Sequence, residues 1–167
     1  MSESTRPLSA EEIAYVDAAR ATAFTLYEGV KVAHRSCGIA IAETFGLATP
    51  AYQALRRGGI TGAGTCGALR AGEHVLGELL GDPDPTGKVT PQLRAGMQRY
   101  MDRVHAELDR GSSPTLVCND MTAPHGEFMG EARHRFCTNV VAQVAQLVDE
   151  TLREQGIEVV ATPIGAG

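Results

Sequence analysis

The residues with the greatest capacity for chemistry are the four cysteines, Cys37, Cys66, Cys118 and Cys137. They are separated by 28, 51 and 18 residues, so the sequence contains no CxxC knuckle of the kind that holds zinc within one short segment. Free cysteine is also among the most buried side chains and often serves only as a small core residue. Spacing alone therefore leaves both a chemical and a packing role open for each cysteine.

The neighbours of the cysteines favour a chemical role. Cys66 follows a glycine-rich stretch and opens a predicted helix, where the unpaired N–H groups and the helix dipole stabilise a thiolate. Arg70, one turn later, is expected to add positive charge. Two other cysteines also follow basic residues, namely His34 and Arg35 before Cys37, and Arg133 and His134 before Cys137. These surroundings are typical of a reactive or metal-ligating sulfur.

Composition narrows the class of protein. The 167 residues, 43% of them apolar, suit one domain that buries a core without staples. The net charge of −5 has the wrong sign for neutralising phosphates, so we do not expect a nucleic-acid partner. We find neither an apolar run of membrane-spanning length nor a signal-peptide pattern, and we expect a cytoplasmic protein with no membrane partner. In that compartment thiols stay reduced, which disfavours structural disulfides.

Helix-start and helix-stop signals predict an all-α fold of about five to six helices. Ser9 with Glu12 forms a capping-box pattern, and Thr90 with Pro91 is a second strong helix start. Apolar residues then recur at helical spacing, with an inward stripe on the first helix that includes Ile13. The predicted helices run from Ser9 to Gly29, from Ser36 to Gly46, from Pro50 to Arg57, from Thr65 to Leu80, from Thr90 to Arg110, and from Glu131 to Gln155.

The segments between these helices define the domain limits. Residues 1–8 are predicted to be a flexible N-terminus, residues 9–156 a single compact helical domain, and residues 157–167 a tail with a short β-like run. The glycine-rich stretch from Gly58 to Gly67 cannot propagate a helix but permits tight turns and close approach. Residues 115–118 are compatible with either an extended or a helical conformation.

The order of four segments resembles the C_GCAxxG_C_C redox-active family over nearly all of residues 10–155. The segments are HRSCGIAIAETFG, TCGALRAGEHVLGELLG, LVCND and RFCTNVVAQVAQLV. The resemblance maps the four family cysteines onto the four cysteines of this chain and the CGAxxG box onto Cys66, Gly67 and Ala68. The box's final glycine is replaced by Ala71, and Gly72 follows it.

The resemblance implies a redox-active or metal-binding set of four cysteines on a small helical fold. Better-characterised relatives, the split-Soret cytochromes, combine haem with an iron–sulfur centre. This chain contains no CxxCH, so covalent haem is not expected, whereas the iron–sulfur part remains possible chemically. Four thiolates are the ligand set of a [2Fe-2S] or [4Fe-4S] cluster, and zinc is the second choice of metal.

Three functional hypotheses follow. The leading one is a redox protein whose four cysteines bind an iron–sulfur cluster or another metal-thiolate centre for electron transfer or redox sensing. The second is a thiol–disulfide protein in which Cys66 is the attacking thiolate. The third is a zinc-stabilised or metal-free structural module. All the metal hypotheses require the four sulfurs to converge, and we also expect a homo-oligomer, most simply a two-fold dimer. The sequence does not identify the redox partner.

Overall fold

A computed structural model of the chain describes residues 6–164, and the predicted all-α class is confirmed. Residues 1–5 and 165–167, within the predicted flexible N-terminus and tail, lie outside the described range. Within that range, no helix is both long and apolar enough to cross a membrane. The α-helices are α1 (Ala10–Glu28), α2 (Cys37–Thr44), α3 (Gly67–Leu80), α4 (Pro91–Glu107), α5 (Cys118–Thr122) and α6 (Glu131–Glu154), and short 3-10 helices span Pro50–Leu55 and Ala123–His125.

Helix α1 begins and ends where its capping signals predict. The Ser9 hydroxyl accepts a hydrogen bond from the backbone N–H of Glu12, and the Glu12 carboxylate accepts one from the Ser9 N–H, which completes the capping box. Gly29 ends the helix in the left-handed conformation, with φ 78°. Ile13 is the exception to the predicted stripe, because it is 49% exposed. Its place on the outer side of the helix was not apparent from spacing alone.

The core forms around α6, which contacts α1, α2, α3 and α4. Its valines and leucines from Val140 to Leu152 are buried, as the predicted stripe requires. Opposite them lie Ile41 of α2, Leu76 of α3 and Tyr100 of α4, each completely or almost completely buried. One continuous apolar cluster therefore joins the helices that carry the cysteines.

The connector around residue 117 is extended at Val117 and helical from Cys118 onward. Thr65 and Val117 form an isolated antiparallel bridge, and α5 begins one residue later, at Cys118. The β-like run near the C-terminus forms no strand within the described residues. Instead the Thr162 N–H donates to the Thr44 carbonyl, and Ile157, Val159 and Ile164 pack on the core.

The two glycines inside α3 give a matched test of this packing. A Cβ at Gly72 would overlap the Tyr100 hydroxyl and lie 2.8 Å from its Cζ atom, whereas a Cβ at Gly77 would meet nothing within 4 Å. The Tyr100 hydroxyl donates to the Leu69 carbonyl at 3.1 Å, so it cannot move without losing that bond. We expect Gly72→Ala to lower the free energy of unfolding by about 1–3 kcal/mol.

Gly77→Ala is the control, and it should raise the free energy of unfolding by about 0.5–1 kcal/mol through helix propensity. Urea denaturation followed by circular dichroism measures both changes. Equal effects of the two substitutions would show that Tyr100 does not constrain this face of α3.

Candidate functional site

The four cysteines come from four different helices and line a single cavity of about 490 Å³. Cys37 and Cys118 are the first residues of α2 and α5, Cys66 is the N-cap of α3, and Cys137 lies in the second turn of α6. All four are free thiols, with Cys118 buried and the others half-buried. The expected convergence on one region of the molecule is therefore found, although the cysteines span residues 37 to 137.

The isolated bridge positions two of these cysteines directly. The Cys66 N–H donates to the Leu116 carbonyl at 2.8 Å, and the Cys118 N–H donates to the Gly64 carbonyl at 2.9 Å. The bonds fix the register of two segments that are distant in sequence, and each segment starts a helix immediately afterwards. Cys66 and Cys118 are consequently held diagonally across the bridge.

Gly67 of the CGAxxG box lies so close to the opposite wall of the site that no side chain fits at this position. A Cβ at Gly67 would overlap the Leu55 carbonyl oxygen and lie 2.8 Å from the Cys37 sulfur. Gly58 has a similar role, since it has φ 60° and a Cβ there would lie 2.5 Å from the Cys118 Cβ. Both glycines thus allow the glycine-rich stretch to approach the cysteines.

The net effect of the surroundings is to raise, not lower, the pKa of every thiol. Burial raises the pKa of Cys66 strongly, and the nearby Cys37 and Cys118 raise it further. The backbone N–H groups of Ala68 and Leu69, at the start of α3, lower the pKa of Cys66 as expected, but they do not offset the effect of burial. Arg70 does not help as predicted, because its half-exposed guanidinium pairs with Glu73 at 2.7 Å. The expected stabilised thiolate at Cys66 is therefore wrong, because burial outweighs the helix terminus.

An aromatic cluster lies beside Cys137. The Tyr27 ring stacks on the His134 ring, with centroids 5.2 Å apart, and meets the His34 ring edge-on at 4.7 Å. One ring nitrogen of each histidine contacts a carbonyl at the end of α1, His34 that of Tyr27 and His134 that of Glu28. Burial raises the pKa of Cys137, and the nearby Tyr27 phenol lowers it in part.

In the sequence the two histidines stand out only as neighbours of cysteines, and Tyr27 is not indicated as a site residue. The repeated pattern His-Arg-x-Cys, at residues 34–37 and 134–137, was the available signal. It places a histidine three residues before a cysteine twice, and both pairs line the same cavity.

Arginines surround the mouth of the cavity. Arg57 and Arg133 lie over the ring of Phe128, with their Cζ atoms 4.3 and 5.1 Å from its centroid, and Arg56 also lines the cavity. Arg57 and Arg133 both lower the pKa of Cys118, although burial and Cys37 raise it. Arg133 was expected to act on Cys137, and it does so, but Arg57 and Phe128 were not anticipated.

The cavity contains the thiol ligands that a soft metal prefers, but their arrangement suits a metal centre only in part. Four thiols supply the donor set, and the buried Ser36 hydroxyl beside Cys37 has no hydrogen-bond partner among the described residues. However, no three His, Cys, Asp or Glu side chains within residues 6–164 are grouped closely enough to hold a single ion. Ligation of one ion would thus require the thiols to change rotamer.

Fold and site together define a small helical protein with four cysteines around one cavity. The sequence profile of the family described as "Putative redox-active protein (C_GCAxxG_C_C)" matches residues 33–151. The chain belongs to this family, in agreement with the resemblance seen in its sequence. No curated protein and no solved structure matches the chain.

The raised thiol pKa values predict a pH-dependent stability. Burial raises the pKa of Cys137 from its ordinary 9.0 to about 11 and raises those of the other three cysteines. Because these pKa values are higher in the folded than in the unfolded state, the thiols' contribution to stability is complete below the unfolded value and is lost as the pH rises through the folded one.

We therefore expect the urea midpoint of the reduced, metal-free protein to fall between pH 9 and 11. Cys137→Ser, which removes one titrating group, should show a shallower decrease over the same range. Parallel pH profiles for the two proteins would contradict the assignment of the decrease to this thiol.

Proposed function

We propose that this chain is a redox protein whose four cysteines hold an iron–sulfur cluster or a related metal-thiolate centre, for electron transfer or redox sensing. The observation that carries the proposal is the convergence of cysteines from α2, α3, α5 and α6 on one cavity. A rigid helical framework supplies the geometry that a local CxxC knuckle supplies in other proteins. Four thiolates are the usual ligands of [2Fe-2S] and [4Fe-4S] clusters.

The spacing of the thiols favours a cluster over a single zinc ion. With metal–sulfur bonds of about 2.3 Å, a tetrahedral site needs its sulfurs about 4 Å apart. No such group of three or more ligands exists among the described residues, as stated above. A cluster joins sulfurs that lie farther apart, since several metal and sulfide ions lie between them. We therefore propose a cluster rather than a single zinc ion for this cavity.

The protonation of the thiols favours metal binding over thiol–disulfide chemistry. An attacking cysteine needs a large thiolate fraction near neutral pH, whereas burial raises the pKa of Cys66 far above its ordinary value. A metal deprotonates its thiol ligands when it binds, so a high pKa in the free protein does not prevent ligation. The repulsion among neighbouring thiolates, which contributes to the raised pKa values, would also be offset by the metal's positive charge.

The apolar wall of the cavity suits a redox centre. Val140, Val141, Met121 and Phe136 line it, and the first three are buried. Such a wall limits the access of water to a bound centre, and solvent exposure is one of the properties that set the potential of iron–sulfur proteins. The Tyr27 phenol near Cys137 adds a polar group close to one of the proposed ligands.

The proposal predicts a coloured protein. Protein purified without oxygen should absorb visible light and contain iron and acid-labile sulfide in similar amounts, and the colour should bleach reversibly on reduction. Cys66→Ser should lose most of the iron and colour, because a harder oxygen replaces a soft thiolate. Met97→Leu is the matched control: it removes a sulfur on α4, outside the cavity, and should keep both.

Three other outcomes would each contradict the proposal. Stoichiometric zinc without colour would support the zinc-stabilised module. A colourless, metal-free protein that forms a disulfide reversibly through Cys66 would support the thiol–disulfide alternative. A metal-free protein with no reversible thiol oxidation would leave only a packing role for the cysteines.

A further inference from the structure

The mouth of the cysteine cavity concentrates positive charge on an acidic protein. Arg56, Arg57 and Arg133 line the cavity, and the described lining residues include no aspartate or glutamate. Arg57 and Arg133 have no carboxylate partner within residues 6–164, whereas several other arginines of the chain are paired. The chain as a whole carries a net charge of −5. The positive mouth is therefore a local feature that the overall composition does not explain.

Phe128 holds two of these charges together. Its ring is 53% exposed and receives the guanidinium groups of Arg57 and Arg133. A guanidinium group stays charged at any accessible pH, so the two repel each other at this position. An exposed ring compensates such repulsion only weakly, whereas a carboxylate or phosphate accepts paired hydrogen bonds from arginine. The guanidinium groups of Arg57 and Arg133 are therefore available to bind an anion.

The space below the arginines suits the body of a small molecule. The cavity volume of about 490 Å³ lies within the range of small-molecule sites. Apolar side chains form much of its wall, with Met121, Val140 and Val141 buried. At the rim, Met129 is 85% exposed and has φ 75°, a conformation that non-glycine residues rarely adopt. Positive charge at the mouth and apolar surface inside the cavity suit an amphipathic ligand with an anionic head and an apolar body.

We propose that this mouth binds the charged head of a small organic anion, a carboxylate or phosphate with an apolar body, which enters the cavity toward Cys118. Arg57 and Arg133 bind the head, and the apolar wall contacts the body. The proposal rests on the proposed redox function and deepens it by naming the class of molecule that binds in the outer part of the same cavity, beside the centre that the cysteines hold. A cavity of about 490 Å³ favours a small molecule over the flat acidic surface of a partner protein.

Two dyes with the same aromatic body test the proposal. 1-Anilinonaphthalene-8-sulfonate carries an anionic head, and N-phenyl-1-naphthylamine is its neutral counterpart. Fluorescence titration of the full chain with each dye should give a dissociation constant for the anionic dye that rises about tenfold in Arg57→Gln/Arg133→Gln. Binding of the neutral dye should be unchanged. Inorganic phosphate should compete with the anionic dye only.

The control double variant is Arg20→Gln/Arg94→Gln, which makes the same change in net charge outside the cavity lining and should bind both dyes as the wild type does. Arg57→Lys/Arg133→Lys keeps the charge and should recover part of the anionic preference. The proposal is overturned if the wild type binds neither dye, if both dyes weaken equally in the glutamine variant, or if the control loses as much affinity as the glutamine variant.

Metal analysis of the same samples separates this proposal from the redox function. A metal-free wild type that still prefers the anionic dye through Arg57 and Arg133 would contradict the cluster and support the anion site. A protein with iron, sulfide and colour but no preference for the anionic dye would support the cluster and contradict the anion site. Iron content should be equal in the wild type and the glutamine variant, because neither arginine supplies a sulfur.

Discussion

The short antiparallel pairing between the glycine-rich stretch and the start of α5 is the constraint on which the site depends. It consists of the backbone bonds from Cys66 to Leu116, from Cys118 to Gly64 and from Asn119 to Gly62, each between 2.8 and 2.9 Å long. These bonds leave the main-chain donors satisfied at a place where two helices begin. This pairing fixes the start of α5 relative to the start of α3.

The glycines make that pairing possible at close range. Gly58 and Gly67 lie where a side chain would displace Cys118 or the Leu55 carbonyl, so the backbone itself forms part of the cavity wall. Ala71, which replaces the last glycine of the family box, is completely buried, and the close approach to Tyr100 occurs at Gly72. The close helix contact of α3 with Tyr100 is therefore made at Gly72, next to the position of the box's last glycine.

Two opposing electrostatic effects meet at the cysteines. Three of the four sulfurs belong to residues at helix starts, where N–H groups and the dipole favour the thiolate, yet burial raises every thiol pKa, and neighbouring cysteines raise those of Cys66, Cys118 and Cys137 further. Burying a thiolate away from water is less favourable than the helix terminus is favourable. The pKa of Cys66 is therefore raised, whereas the sequence predicted that it would be lowered. The raised thiol pKa values support the proposed metal centre over the thiol–disulfide alternative.

Local signals in the sequence determined the helices, because caps and periodic apolar residues act within one or two turns. Ser9, Glu12 and Gly29 specify the ends of α1, and the stripe from Val140 to Leu152 specifies the buried face of α6. The resemblance to a four-cysteine family also identified the cysteines that converge. The tertiary structure alone decided the bridge at Val117, the exposure of Ile13, the protonation of the thiols and the meeting of Arg57, Arg133 and Phe128. Each of these depends on segments that are distant along the chain, and their burial and field exist only after the helices have packed.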